Sequence, residues 1–469
     1  MNIILGIFFF IIIFSCKKNE SQEKERSTKP NIVLINIDDL GWRDVSFMGN
    51  DFFETPNIDA LSKEGMVFTN GYASAANCAP SRANLMTGQW PQRHGIYTVG
   101  NSDRGKSKFR KLIPTKNITT LADRFLTLPE VLKNNGYSTC HAGKWHLTDN
   151  PLDNGFEINI GGSHVGHPSS YYPPYKNVAL EAEEGKRLTD LIMDKTIDFL
   201  RTNNRPFFLN YSPYSVHTPI QPVKELVGKY KNKVSIQGHN NADYASMIEN
   251  LDANIGRLIS ILKKTGELKN TFIVFTSDNG GLYSVSKQHP LRAGKGSYYE
   301  GGIRVPFFFV WPDKIKRNEK SEELISNLDL YPTILEVANI EKPKDKILDG
   351  HSLIKLLKQK QTKLDRSLFW HFPVYLQAVV KINENRDAKF RTRPGSVVRK
   401  GNWKLHHYFE DNTLELFNLE NDVGEQNNLV YKKPDIVKEL LVLLNNWREK
   451  TNAPVPKELN LEYELNANN

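Results

Sequence analysis

The sequence predicts an α/β fold: a large, mixed, mostly parallel sheet sandwiched by helices, followed by a smaller C-terminal antiparallel sheet with one helix. Three observations carry this expectation. Residues 31–37, 207–211 and 271–275 are near-continuous runs of β-branched, aromatic and other apolar residues, the pattern of strands buried on both faces. Segments with apolar residues at helical spacing are interleaved with them, the longest being 189–201 and 244–264, the latter closed by Gly266. Beyond Pro312 the pattern changes: a helix opens at Asp329–Thr333, and strand-like segments at 367–371, 396–406 and 413–418 then precede a helix at 434–447. Strands adjacent in sequence suit a small antiparallel unit packed on the main one.

The chain has 469 residues, 39% hydrophobic and 25% charged, the composition of a soluble globular enzyme with one large and one smaller unit. Its net charge of +9 favours anionic partners, although a merely basic surface gives the same number. From Ile3 to Phe14 runs an apolar stretch too short to span a bilayer, which suits a secretory signal even though no Lys or Arg precedes it. Ile13-Phe14-Ser15-Cys16 resembles a bacterial lipobox, which implies lipidation of Cys16 and an exported protein held at the cell envelope, periplasmic or on the surface, touching the membrane only through its anchor. Residues 17–29 are charged, lack apolar periodicity and read as a tether. The expected division is therefore a signal at 1–16, the tether at 17–29, a catalytic domain at 30–375 and a C-terminal α+β subdomain at 376–469.

The first buried strand ends in Asp38-Asp39-Leu40-Gly41, and two adjacent carboxylates there are costly unless a cation or hydrogen bonds compensate them. Next comes Cys78-Ala-Pro-Ser-Arg82-Ala-Asn-Leu-Met-Thr-Gly88, where a helix is expected to begin at Pro80 and to end near Gly88. Cys78 thus lies at the positive end of a helix dipole, beside Arg82. The loop 101–115 gathers Arg104, Lys106, Lys108, Arg110 and Lys111, which serve either as a solvated surface or as contacts to an anionic polymer. Thr127-Leu-Pro-Glu130 is a capping box. The helix it opens stops at Asn135-Gly136, and a strand at 138–142 delivers Gly143-Lys144-Trp145-His146 to a strand's carboxyl end, where open α/β sheets place their sites. Residues 161–175, rich in Gly, Pro, Tyr and His and including His164 and His167, form a long loop of the kind that selects substrates. His217-Thr218-Pro219 follows the 207–211 strand, and Asp278-Asn279-Gly280 follows 271–275, offering hard oxygen ligands for Ca²⁺ or Mg²⁺. His289 and His371 complete the candidate substrate contacts.

Cys-x-Pro-Ser-Arg with Leu-x-Thr-Gly, Asp-Asp-Leu-Gly-Trp42, Gly143-Lys-Trp-His146, Ser-Val-His217-Thr-Pro and the block Pro290–Pro306 carrying Lys295 together resemble the type I sulfatases of the alkaline-phosphatase-like superfamily, in the family's order. The resemblance implies that Cys78 is oxidised to Cα-formylglycine by a maturation enzyme and that its hydrate is the nucleophile. It further implies one Ca²⁺ ion, with Mg²⁺ as the alternative, held by Asp38, Asp39, Asp278, Asn279 and residue 78. Lys144 and Lys295 would neutralise the sulfate and Arg82 orient the hydrate. His217, with Lys295 close by, would protonate the leaving oxygen, and His146 would deprotonate the second hydroxyl. With Cys16 lipidated and Cys78 modified only Cys140 remains, so no disulfide is expected.

The implied substrate is a sulfated polysaccharide or oligosaccharide, algal (ulvan, fucoidan or carrageenan) before glycosaminoglycan, with no nucleic-acid partner. Two other classes compete. A phosphoester hydrolase on the same scaffold usually carries Thr or Ser as nucleophile and two metals. An inactive glycan-binding lipoprotein would lack a ligand, and none is missing from the sequence.

Overall fold

The computed structural model describes residues 29–235, 237–378 and 384–465. The expected signal, Cys16 and all of the tether before Lys29 lie outside the described residues. Among the described residues no helix is long and apolar enough to cross a membrane.

The main sheet has eight strands in the order Ile158–Ile160, Ser138–Gly143, Phe207–Ser212, Asn31–Ile37, Thr271–Ser277, Phe308–Val310, Met66–Phe68 and Glu319–Ser321. The first five run parallel; Phe308–Val310 is antiparallel to both its neighbours. Alternation along the central strand explains the two layers of helix. Val33, Ile35 and Ile37 enter one core cluster, shared with Leu188–Thr202 and Ala242–Lys264, while Ile32 and Leu34 enter the other, shared with Cys78–Thr87, Leu128–Asn134 and Leu330–Val337. A strand buried on both faces has no polar side to show, hence its unbroken apolar run. The Leu128–Asn134 helix starts from the expected capping box: the side chain of Thr127 accepts from the Glu130 amide, and the Glu130 carboxylate accepts from the Thr127 amide.

The C-terminal sheet is antiparallel, in the order Ser367–Phe372, Gly395–Lys400, Trp403–Tyr408 and Leu414–Asn418. Its first strand lies before residue 375, so this sheet spans the boundary expected there. The single strand expected over 396–406 is two strands, turned at Gly401, whose φ of +53° suits glycine. One face packs on Pro434–Lys450 through Val398, Leu405, Leu416, Leu440, Leu444 and Trp447. The other faces the main domain, Trp370 and Phe372 meeting Tyr72, Ala76 and Tyr298. Beneath this contact Lys404 bridges Glu300 and Glu425, 2.9 Å from each, entirely out of water.

Gly143 is a point of close approach at the carboxyl end of the sheet. Its φ is +107°, and a Cβ there would sit 2.1 Å from the carbonyl oxygen of Ser212. The close approach lets the next amide, that of Lys144, donate to the same carbonyl at 2.7 Å. Gly143→Ala must therefore push two strands apart and is expected to destabilise the fold by more than about 1 kcal/mol, read as a lowered unfolding temperature in calorimetry.

Candidate active site

Five parallel strands end on one edge of the sheet, and four of them deliver polar side chains to a single point. Asp38 and Asp39 follow Asn31–Ile37; Asp278 and Asn279 follow Thr271–Ser277, whose Ser277 is in register with Ile37. Lys144 follows Ser138–Gly143, and Ser212, the register partner of Gly143, ends Phe207–Ser212. Into this edge points the start of the Cys78–Thr87 helix, all ten of whose residues are buried.

Opposite charges interlock here. Lys144 Nζ donates to both oxygens of Asp38, at 2.8 and 2.9 Å. Lys295 Nζ reaches the Asp39 carboxylate at 2.7 Å. The Arg82 guanidinium meets Asp278 Oδ2 at 2.8 Å and spends Nη1 on the Lys144 carbonyl and Ser212 Oγ, both at 2.7 Å. The Asp39 amide donates to Asp278 Oδ1 at 3.1 Å, tying two of the acidic strand ends together. Cys78 Sγ lies 3.9 Å from Asp39 Oδ1. Burial works against a thiolate, but Lys144 and Lys295 outweigh it and bring Cys78 down to about 6, whereas Cys140, buried among apolar groups, is pushed far up.

Several features fit a divalent cation. Donor atoms of Asp38, Asp39, Cys78 and His217 all lie within 4.8 Å of one another. Asn279 donates to Asp39 and to the Gly280 carbonyl, yet its own Oδ1 is buried with no partner. Burial, with Asp278 nearby, raises Asp38 to about 7 in spite of Lys144 and His217. An orphaned buried amide oxygen beside carboxylates is the hard-oxygen set that Ca²⁺ or Mg²⁺ takes.

The sulfatase family model matches residues 30–340. The chain belongs to the sulfatase family. A second model, described as N-sulphoglucosamine sulphohydrolase, C-terminal, matches residues 294–450. A sulfatase of Formosa agariphila is 31% identical, the match covering 96% of this chain and 94% of the relative. The N-acetylgalactosamine-6-sulfatase of Rattus norvegicus is 33% identical over 75% of this chain and 70% of its own. The crystal structure of Ps i-CgsB, solved also in complex with k-i-k-neocarrahexaose, matches with a TM-score of 0.73 at 30% identity, covering 89% of this chain and 92% of that one. This sulfatase is thus a sulfuric ester hydrolase.

The two histidines expected to move protons stand in opposite environments. His217 Nε2 is 3.0 Å from Lys295 Nζ and 3.4 Å from Asp39 Oδ2, while its Nδ1 lies 2.8 Å from the Thr218 carbonyl. Burial and Lys295 oppose charge on the ring, but Asp39 and Asp38 prevail and its pKa stands above the usual value. His146, with φ of +66° and its amide on the Ser163 carbonyl, is driven well below the usual value by burial and by Lys144 and Arg82. Its Nδ1 is buried without a partner.

The four expected substrate contacts divide. His167 is exposed and stacks on His217, ring centroids 5.8 Å apart and 3° from parallel. His164, on the same loop, is exposed beside Asp149 at 3.1 Å. His289 is exposed and makes no hydrogen bond or ring contact with the cluster among the described residues. His371 is not a substrate residue: it is 1% exposed, with Nδ1 2.8 Å from Ser396 Oγ and Nε2 2.9 Å from the Pro454 carbonyl, so both nitrogens are spent inside the C-terminal unit. Two contributors were not foreseen. Ser212 could have been found from its place at a strand's carboxyl end. Tyr171, whose hydroxyl donates to the Tyr214 and His217 carbonyls at 2.6 and 2.9 Å, had only loop composition to mark it.

If the acidic strand ends hold a cation, its binding energy adds to folding. Ca²⁺ added to metal-stripped protein should stabilise it by roughly 2.7 kcal/mol at a hundredfold excess over Kd. Asn279→Ala should remove most of that gain, as read by scanning calorimetry with and without the ion.

Proposed function

We propose that this sulfatase removes sulfate from a sulfated polysaccharide or oligosaccharide, using formylglycine made from Cys78 and a resident Ca²⁺. The observation that carries this reading is the setting of residue 78: it opens a buried helix and is faced by Lys144 and Lys295, with a Lys295–His217 pair on one flank. An oligosaccharide of the carrageenan kind is the preferred substrate, in keeping with the neocarrahexaose bound by Ps i-CgsB. A glycosaminoglycan is the second reading, favoured by the N-acetylgalactosamine-6-sulfatase relative. Export with a lipid anchor at Cys16, and a partner enzyme that generates formylglycine, belong to the same proposal.

Asp38, Asp39, Asp278 and Asn279 would hold the ion, which when bound acidifies a coordinated hydroxyl and draws in sulfate oxygens. Formylglycine at residue 78 would supply a hydrated aldehyde: one hydroxyl would attack sulfur as the ester oxygen leaves, and deprotonation of the second would break the C–O bond to sulfate and restore the aldehyde. The remaining work falls to the chain's own side chains. Lys144 and Lys295 place positive charge on the sulfuryl oxygens in a largely buried site, where such charge is worth most. Arg82 cannot swing, because Asp278, Ser212 and the Lys144 carbonyl hold it. His217, with Nδ1 turned to the Thr218 carbonyl, presents Nε2 to the leaving oxygen and carries its proton there when the ring is charged. His146, kept neutral, serves as the base for the second hydroxyl.

The opposed histidines fix the sign of the pH dependence. His217 acts protonated and its pKa is raised, so its contribution is full below that value and is lost as pH rises through it, above the ordinary 6.5. His146 acts neutral and its pKa is lowered, so its contribution is lost only as pH falls well below 6.5. A bell-shaped kcat/KM profile is expected, its alkaline limb above pH 6.5 and its acid limb well below it, and His217→Ala should abolish the alkaline limb.

His217→Ala should also slow a sugar sulfate by about 10²–10⁴-fold, but an aryl sulfate with an acidic phenol far less. Equal losses on both would transfer the acid role to Lys295. Protein made without a formylglycine-generating enzyme should keep its thiol, by peptide mass spectrometry of residue 78, and should be inactive. Full activity with an intact thiol would sink the nucleophile assigned here.

A further inference from the structure

Arg391 lies on Phe390–Thr392, a short strand of the C-terminal unit that crosses the segment carrying Lys295. Its Nη1 donates to the Lys295 carbonyl at 3.2 Å and its Nε to the Gln377 carbonyl at 3.2 Å. The Thr392 hydroxyl bonds the Gly296 carbonyl, and the Gly296 amide donates to Ala76, two residues before Cys78. A Cβ on Gly296 would lie 3.2 Å from Arg391 Nε, so the guanidinium rests directly on the backbone of the catalytic lysine.

Arg104 arrives from the basic loop after the signature helix. The loop is fastened to the C-terminal unit by the Tyr375 amide, which donates to the Ser102 carbonyl at 2.8 Å. Gly105, with φ of +89°, lies where a Cβ would be 2.8 Å from the Phe390 ring, so only glycine lets the loop settle against the residue before Arg391.

Among the described residues neither Arg104 nor Arg391 forms an ion pair, and the one bond of Arg104 is to the Val99 carbonyl at 3.4 Å. Their neighbours behave differently: Arg386 pairs with Asp411, Arg393 with Glu410 and Asp387, and Arg110 with Asp103. Both are only half-buried, so their unused N–H groups remain open to a ligand. Burial, and after it Arg104, lower Arg391 to about 10, against the opposing pull of Asp39 and Cys78. Planar guanidiniums match carboxylate and sulfate oxygens bidentately.

We infer that Arg104 and Arg391 form a second anion subsite beside the scissile sulfate, reading a further negative group, sulfate ester or carboxylate, on the same or the adjoining sugar. The inference rests on the sulfated-glycan reading above and narrows it: the preferred substrate carries at least two anionic groups close together.

Competition against hydrolysis of 4-methylumbelliferyl sulfate by mature, Ca²⁺-loaded enzyme at fixed ionic strength tests it in two arms. One compares κ-neocarratetraose with ι-neocarratetraose, which differ by a sulfate in each repeat. The other compares a 6-sulfated chondroitin disaccharide with its uronate methyl ester. In at least one arm the more anionic ligand should bind about tenfold tighter or better, as expected for a charge-assisted contact. Arg391→Ala and Arg104→Ala should each collapse that ratio, Arg391→Lys should keep part of it, and Lys438→Ala, an exposed cation on the C-terminal helix, should keep all of it. A ratio of one in both arms, or a ratio that survives both alanine variants with unchanged unfolding temperature, overturns the subsite and leaves the sulfatase reading standing. Mature wild-type enzyme that hydrolyses no sulfate ester overturns both.

Discussion

Three carboxylates brought to one dry point are the constraint from which the rest of this site follows. Asp38, Asp39 and Asp278 are each at most 3% exposed, and like charges so placed are tolerated only against a matching set of cations. Lys144, Lys295 and Arg82 form that set, each aimed at a different carboxylate. Lys144 and Lys295 also lower the thiol of Cys78, burial and all three cations hold His146 well below its usual value, and Asp39 and Asp38 raise His217. One set of charges therefore governs residue 78, His217 and His146 together, and altering any partner disturbs all three.

The geometry of the sheet makes this possible. Parallel strands end their hydrogen-bonding at one edge, and the side chains just past that edge meet without any long loop. Behind the site, the Gly280 amide donates to the Gly302 carbonyl at 2.9 Å, and a Cβ on Gly280 would stand 1.9 Å from the Gly301 oxygen. Glu300, one residue earlier, is held by Tyr72 at 2.6 Å and by Lys404 of the C-terminal sheet. The small sheet thus braces the turn that carries Asp278 and Asn279.

Much of this could be read from the chain because its signals are local. Unbroken apolar runs gave away strands buried on both faces, Thr127 and Glu130 marked a helix start, and Asp38, Cys78, Lys144, His217 and Asp278 sat in short strings of fixed spacing. What stayed hidden depends on distant partners. His371 is the clearest case: strand alternation puts Leu368, Trp370 and Phe372 against the main domain and Phe369 with His371 on the helix side, where Phe369 stacks on Trp447. Which face is covered by what is a property of the fold, not of six residues. The signature helix begins at Cys78 rather than at Pro80 because the first turn can include residues before the proline. The pairing of Arg104 with Arg391 was invisible for the same reason as His371, since nearly three hundred residues separate them.

The depth of Cys78 also bears on chronology. At 2% exposure, in a helix buried along its whole length, its side chain is out of reach of any second protein once the domain has closed. Under the proposed conversion of Cys78, the modifying enzyme would have to bind the segment as an extended peptide, while Pro80 and Arg82 could still be read from the chain. Biosynthesis would then be a race between that encounter and the collapse of the sheet edge around residue 78, and the molecules that lost it would fold into a well-packed but inert twin of the enzyme.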